Sequence, residues 1–121
     1  VHLDVCRMYE ENKETRHELG AEFFVPLADD VIRVTYISSK SNVKIWAWGQ
    51  DPAGNDSDYF VGGWEKRPDM KKAGSSNIWY FDLTRRADFT YVVGMNFTAD
   101  GVTTANKLVN SSEWCRYISF T

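Results

Sequence analysis

Two neighbouring runs decide the fold: Val31-Ile32-Arg33-Val34-Thr35-Tyr36-Ile37 and Val43-Lys44-Ile45-Trp46-Ala47-Trp48. Both are rich in β-branched and aromatic residues with a two-residue periodicity, which is typical of β-strands. The segment between them, Ser38-Ser39-Lys40-Ser41-Asn42, consists mostly of turn-forming residues. The sequence therefore predicts two consecutive strands joined as a hairpin.

Further stretches of the same character follow, separated mostly by Gly, Pro, Asn, Asp or Ser. The additional predicted strands cover residues 59–64, 78–83, 89–97, 103–109 and 114–120. Strands at this spacing, without a convincing amphipathic helical stripe, favour an all-β antiparallel sandwich of the immunoglobulin-like type over alternating strands and helices.

The first thirty residues have a weaker pattern. Leu3, Val5 and Arg7 are interpreted as the start of an edge strand. Residues 10–19 are strongly polar and lack an apolar face, so they are predicted to form a loop or one loose helical turn. Residues 23–27 are apolar and are expected to pack across the sandwich. We interpret residues 1–121 as one domain, with residues 1–30 as an N-terminal extension or first strand.

Length and charge exclude several classes of protein. The chain has 121 residues, which suits one domain and is too short for a (β/α)8 barrel. Its net charge is −3 and it lacks a long basic cluster, so a nucleic-acid partner is not expected. No apolar run approaches the ~20 residues that span a bilayer, so no membrane partner is expected either. The start at Val1 is interpreted as that of an excised or processed module of a larger protein. An extracellular location is predicted for that protein.

The two cysteines, Cys6 and Cys115, lie near opposite ends of the sequence. First and last strands are often neighbours in secreted sandwiches, and a bridge between these residues would close a long loop. We expect this disulfide, with two buried free thiols as the alternative.

Catalytic and metal-binding motifs are weak. His2 and His17 have no recognisable nucleophile at a suitable spacing, and no zinc motif is present. The acidic loop around Gly54 offers oxygen ligands for calcium, but its spacing does not match an EF-hand, so a solvated turn is favoured and no cofactor is predicted. A pair of carboxylates sufficient for a small glycoside hydrolase remains an alternative, because 17 acidic residues are available.

Aromatic residues are the most distinctive feature, since they make up 15% of the chain and include five tryptophans. Trp46 and Trp48 are two residues apart on a predicted strand, so both point to the same face. We expect that face to be exposed, because the opposite face carries Val43, Ile45 and Ala47. Trp64, after two glycines, is expected to present a third ring. Indoles combine an apolar face with one N–H donor, which suits sugars.

Trp79 and Trp114 are expected to belong to the core. Trp79 shares one strand face with Phe81 and Leu83, and Trp114 precedes Cys115.

The order of several motifs resembles the carbohydrate-binding modules of family 26, which are starch-binding β-sandwiches of bacterial amylases and starch-adherence proteins. The motifs are Val43-Lys44-Ile45-Trp46-Ala47-Trp48, Gly62-Gly63-Trp64 with Met70 beyond it, Trp79-Tyr80-Phe81-Asp82-Leu83, Ala87-Asp88-Phe89-Thr90-Tyr91-Val92-Val93, and Met95-Asn96 with Thr103-Thr104 and Lys107-Leu108. The resemblance covers about residues 31–121.

This resemblance implies a non-catalytic module that binds starch and maltooligosaccharides and carries a parent protein to its substrate. It implies that Trp46, Trp48 and Trp64 stack on glucose rings. Polar groups expected to reach glucose hydroxyls are Lys44, Lys66, Gln50 and Asn96. The alternative is an immunoglobulin-like module that uses the tryptophans to bind another protein.

Overall fold

The structure is a computed structural model that describes residues 3–5, 9–84, 86, 91–109 and 117–120. Its strands are β1 (Leu3–Val5), β2 (Val31–Ile37), β3 (Val43–Gln50), β4 (Asp56–Asp58), β5 (Lys71–Lys72), β6 (Ile78–Thr84), β7 (Tyr91–Ala99), β8 (Val102–Thr103), β9 (Lys107–Leu108) and β10 (Tyr117–Phe120). One α-helix, α1 (Lys13–Leu19), and 3-10 helices at Ala21–Phe24 and Trp64–Lys66 complete the described elements.

The strands form two five-stranded sheets, as predicted for an all-β fold. Sheet I has the order β1-β10-β2-β6-β5, and sheet II has the order β4-β3-β7-β8 with β9 also paired to β7. The prediction of antiparallel pairing is wrong at one place, because β10 runs parallel to β2. The chain reaches β10 from sheet II, so no tight turn between β2 and β10 dictates an antiparallel direction.

The predicted hairpin of β2 and β3 is also wrong, because the two strands lie in different sheets. The link between them is held at Asp100, whose carboxylate accepts hydrogen bonds from the Ser41 amide (3.2 Å) and hydroxyl (3.1 Å). The bond from the Ser41 amide is the main reason why the pKa of Asp100 lies below its usual value. Turn-forming residues serve a hairpin and a crossing between sheets equally well, so composition does not distinguish them.

The core lies between the two sheets. Its largest fully buried side chains are Phe97, Phe120, Ile32, Ile45, Leu83, Met95, Ile118, Val34, Val43 and Val92. Tyr36 of sheet I stacks on Phe97 of sheet II with ring centroids 4.3 Å apart, which joins the two layers directly. Trp79 is buried in this core and its Nε1 donates to the Ser38 carbonyl at 3.1 Å, so its predicted core position is confirmed.

The N-terminal segment covers the outer face of sheet I. Residues 13–19 form two helical turns, so the prediction of a loop or one loose turn is wrong. The helix begins at a capping box in which Asn12 accepts from the Thr15 amide and Thr15 accepts from the Asn12 amide, both at 2.9 Å. This capping box starts the helix even though residues 13–19 lack an apolar stripe.

A second apolar cluster fixes this segment to the sheet. Leu19 and Phe23 pack with Ala73 and Tyr80, on the side of sheet I that faces away from the main core. Phe23 therefore packs outside the sandwich rather than across it, because the centre is already filled by the main core cluster. The helix end also approaches Gly74 so closely that a Cβ there would lie 2.3 Å from the Glu18 carbonyl oxygen.

Several predicted boundaries shift. The strand expected at 59–64 does not form: bends and turns follow β4 and a 3-10 helix begins at Trp64, because Gly62 and Gly63 both have positive φ. The strand expected at 103–109 is divided between β8 and β9.

Cys6, Cys115 and Trp114 lie outside the described residues, so their predicted roles stay predictions. No helix in the described part of the chain has the length and apolar character needed to cross a membrane.

Candidate functional site

The outward side of sheet II carries the predicted tryptophans, and we call it the tryptophan face. It consists of Lys44, Trp46 and Trp48 on β3 together with their cross-strand partners Thr98, Asn96 and Gly94 on β7. Residues directly opposite each other in antiparallel strands project to the same side. Val43, Ile45 and Ala47 point the other way and are fully buried, which confirms the predicted orientation of β3.

Trp48 lies half-buried on this face, opposite Gly94. Its ring occupies the space above Gly94, since a Cβ added to that glycine would lie 2.5 Å from the indole Cζ2 atom. The register between β3 and β7 shifts immediately after Trp48, at a β-bulge before Gly49. The indole is therefore laid against the neighbouring strand instead of standing upright from the sheet.

Trp46 differs from its prediction. It is only 7% exposed, so the expectation that both β3 tryptophans are open to solvent is wrong for this residue. Its ring contacts Phe60 and Trp64, with centroids 6.0 Å and 5.6 Å away. Both covering rings come from the irregular segment after β4, which has no periodicity from which their position could be predicted. Trp46 therefore packs beneath these two rings and is not an open surface for a ligand.

This supporting role predicts a cost in stability. Trp46→Ala removes a buried ring, and we expect it to lower the free energy of unfolding by about 3 kcal/mol in urea denaturation. Trp64→Ala is the matched control, because the same truncation at a 39%-exposed site is expected to cost clearly less. Equal losses in the two variants would contradict the covered position of Trp46.

Trp64 is the more exposed indole. It begins the 3-10 helix Trp64–Lys66 and stands at 70° to the Trp46 ring on which it rests. The Arg67 guanidinium lies 4.0 Å from the centroid of the Trp64 ring and donates to the Trp64 carbonyl at 3.0 Å. This cation–π contact holds the indole in one orientation. Trp64, which is exposed as predicted, and the half-buried Trp48 thus provide the accessible aromatic surface.

Polar groups flank the rings on the same face. Lys44 forms an exposed ion pair with Asp69 at 2.8 Å. Asn96, beside Trp46, donates from Nδ2 to the Asn106 Oδ1 at 2.9 Å and to the Thr104 carbonyl at 3.3 Å. Two of the predicted polar residues, Lys44 and Asn96, therefore lie beside the tryptophans, but Asn96 is buried and its amide donors are already in use.

A hydroxyl pair at one end of the face was not predicted. Thr98 and Thr103 lie opposite each other on β7 and β8, and their hydroxyls are 2.9 Å apart. Asn106 was missed in the same way. Alternation from the core residue Phe97 assigns Thr98 to the outer face, which is the signal that identifies it in the sequence. Asn106 belongs to the irregular link between β8 and β9, where no such signal exists.

Gln50 and Lys66 are placed differently from Lys44 and Asn96. The Gln50 side chain turns to its own loop, where Nε2 contacts the Gly54 carbonyl at 3.3 Å and Asp56 Oδ1 at 3.4 Å. The stem of Lys66 packs against Gly62, whose added Cβ would lie 2.8 Å from the lysine Cγ. Lys66 follows Trp64 in the same 3-10 helix and is exposed, so only Lys66 of these two accompanies an indole.

The acidic loop around Gly54, a possible source of calcium ligands, is organised by its own hydrogen bonds. Asp51 Oδ1 accepts from the amides of Ala53 (3.0 Å) and Asn55 (2.9 Å), which is an Asx-type turn. Among the described residues, no three His, Cys, Asp or Glu side chains are grouped so that they could hold a metal ion.

A cavity of about 290 Å³ lies on the opposite side of the molecule, between the N-terminal segment and sheet I. The rings of Tyr9, Phe23 and Phe24 line it, together with the hydrogen-bonded hydroxyl pair Thr35 and Ser119. None of the predicted ligand-binding residues is part of its described lining. The cavity therefore contributes nothing to the predicted site.

Comparisons of this chain with protein-family models, curated proteins and solved structures found no match. The tryptophan face itself is therefore the evidence from which a function is inferred.

Proposed function

We propose that this chain is a non-catalytic, immunoglobulin-like module that binds α-1,4-glucans, such as starch and maltooligosaccharides, through its tryptophan face. In this proposal it belongs to an extracellular, multidomain protein and directs that protein to the polysaccharide. The resemblance to family 26 carbohydrate-binding modules suggested this function, and the arrangement of the face supports it.

One observation carries the proposal: two accessible indoles, Trp48 and Trp64, share a surface with amide, hydroxyl and ammonium groups. A pyranose ring offers C–H groups on its faces and hydroxyls around its edge. Indole faces match the former, and exposed or partly exposed groups such as Asn106 and Lys44 match the latter. A purely apolar interface with another protein does not require polar groups between the aromatic rings.

The origin of the two accessible indoles favours a curved glucan. Trp48 comes from β3 and Trp64 from a separate 3-10 helix, so we expect their rings to be set at an angle and not in one plane. A flat cellulose chain is complementary to coplanar rings, whereas the helical course of an α-1,4-linked chain presents successive glucose units at changing angles. Few atoms are buried in such a contact, so we expect modest affinity per module and useful avidity from several modules or many sites on a granule.

Calorimetric titration tests this function. We expect maltoheptaose to bind with an affinity in the range of about 10⁻⁵–10⁻³ M, because only a small ligand surface is buried. Cellohexaose, the β-linked counterpart, should bind much more weakly. A parallel assay for released reducing sugar should stay at background. Binding of cellohexaose alone would reject the α-glucan assignment, and sustained sugar release would favour the glycoside hydrolase alternative.

A protein partner is the second candidate, because Val61 is 96% exposed in the turn that leads to Trp64. Such an apolar side chain beside an indole is common at the centre of protein interfaces. If this candidate is correct, Val61→Asp abolishes formation of a protein complex. Under the α-glucan proposal, the same variant keeps most of its affinity for maltoheptaose.

A further inference from the structure

One row of directly paired residues on the tryptophan face contains a residue that was not predicted to bind a ligand, Leu108. Trp48 on β3 lies opposite Gly94 on β7, and Gly94 in turn lies opposite Leu108 on β9. Adjacent strands are about 4.8 Å apart, so the backbone positions of Trp48 and Leu108 are separated by about 10 Å. All three residues project to the same side, since each pair is directly opposed in an antiparallel ladder.

Gly94 determines how the indole fills this row. A Cβ at Gly94 would lie 2.5 Å from Cζ2 and 2.8 Å from Cη2 of Trp48, distances that real Cβ contacts do not show. The far edge of the six-membered ring therefore occupies the space over β7. Because the ring extends from β3 across Gly94, it points along the row towards β9.

Leu108 continues the apolar surface at that point. It is 62% exposed, whereas its neighbours Lys107 and Val109 are buried. This alternation directs Leu108 to the outside of the sheet, next to Gly94. An indole and an exposed leucine in one row form a continuous apolar patch, and such patches on soluble proteins commonly mark binding sites.

We infer that Trp48 and Leu108 form one ligand-binding strip that runs across the strands, with Gly94 as the positioning residue that lets the indole lie flat. The inference rests on the proposed function and adds a contact residue and a direction. The glucan chain crosses β3, β7 and β9 and places successive C–H faces on the indole and on the leucine. The exposed Asn106, which accepts a hydrogen bond from the buried Asn96, then lies along one side of the bound chain.

Leu108→Ala tests the strip, with Val102→Ala as its matched control. Val102 is 71% exposed on the adjacent short strand β8 but lies opposite the core-facing Ala99, outside the tryptophan face. We expect Leu108→Ala to weaken maltoheptaose binding about threefold to fivefold, as the loss of one partly buried apolar contact implies. Val102→Ala should bind as the wild type does.

A double-mutant cycle tests the positioning role of Gly94. Gly94→Ala should weaken binding about tenfold in the wild-type background and have no further effect in the Trp48→Ala background. Acrylamide quenching of tryptophan fluorescence, measured without glucan, should increase in Gly94→Ala as the indole is lifted from β7. Additive losses without a change in quenching would show that Gly94 acts only through general stability, which overturns the positioning role.

The outcomes separate the strip from the proposed function. If the wild type binds maltoheptaose and Leu108→Ala binds equally well, the strip is wrong and the proposed function stands. If the wild type does not bind maltoheptaose, the proposed function is wrong and the strip fails with it.

Discussion

Trp48→Ala is expected to reduce the affinity for maltoheptaose by about 2 kcal/mol, roughly thirtyfold in Kd, which is the range of a binding hot spot. Trp48 is the indole that lies against β7, and it forms the part of the tryptophan face that is fixed directly by a strand. Its removal deletes the surface on which a glucose ring would stack. It also removes the ring that covers Gly94 in the apolar row. Calorimetric titration of the purified variant measures the loss.

A conservative substitution controls for the shape of the site. Trp48→Phe keeps an aromatic face, so we expect it to retain part of the affinity lost in Trp48→Ala. Thermal unfolding of both variants should remain cooperative, because Trp48 is half-buried and outside the main core cluster. Wild-type affinity in Trp48→Ala would remove this residue from the site.

Arg33→Met is expected to lower the free energy of unfolding by about 3 kcal/mol, because it breaks a partly buried ion pair and leaves polar groups unsatisfied. Arg33 forms two bonds to the Asp82 carboxylate, at 2.8 Å and 3.0 Å, and also donates to the Phe23 carbonyl. Its guanidinium lies between the Phe23 and Tyr80 rings, 4.9 Å and 4.8 Å from their centroids. Urea denaturation measures the change.

Arg16→Met provides the matched control. Arg16 pairs with Glu11 at 2.7 Å, but the two side chains are 53% and 46% exposed, and exposed pairs contribute at most about 1 kcal/mol. Arg33→Met should also accelerate proteolysis of the N-terminal segment, since Arg33 is a main attachment of Phe23. Similar stability of the two variants would contradict the anchoring role of Arg33.

The sequence predicts the strands better than it predicts their arrangement. Alternation in β3 identifies its buried face correctly, because burial of Val43 and Ile45 requires a period of two. The assignment of β2 and β3 to different sheets depends on long-range contacts such as Asp100 with Ser41, which leave no local signal. The helix at residues 13–19 was missed because Asn12 and Thr15 initiate it by capping and not by apolar periodicity.

In the candidate site, too, strand periodicity predicts some features and not others. The strand period predicts that Trp46 and Trp48 share a face, and they do. It does not predict that Phe60 and Trp64 cover Trp46, because those rings come from an irregular segment. Nor does it predict that Gly94 gives Trp48 its place on β7, since this depends on the register of two strands about 45 residues apart in sequence.

Native affinity electrophoresis in gels containing soluble starch shows whether this protein binds α-glucans, because retardation reports binding to the polysaccharide itself. We predict that the wild type is strongly retarded relative to a gel without starch, whereas Trp48→Ala migrates equally in both gels. Val102→Ala, which changes an exposed residue outside the tryptophan face, should be retarded like the wild type. Equal migration of the wild-type protein in the two gels would contradict the proposal that this module binds α-glucans.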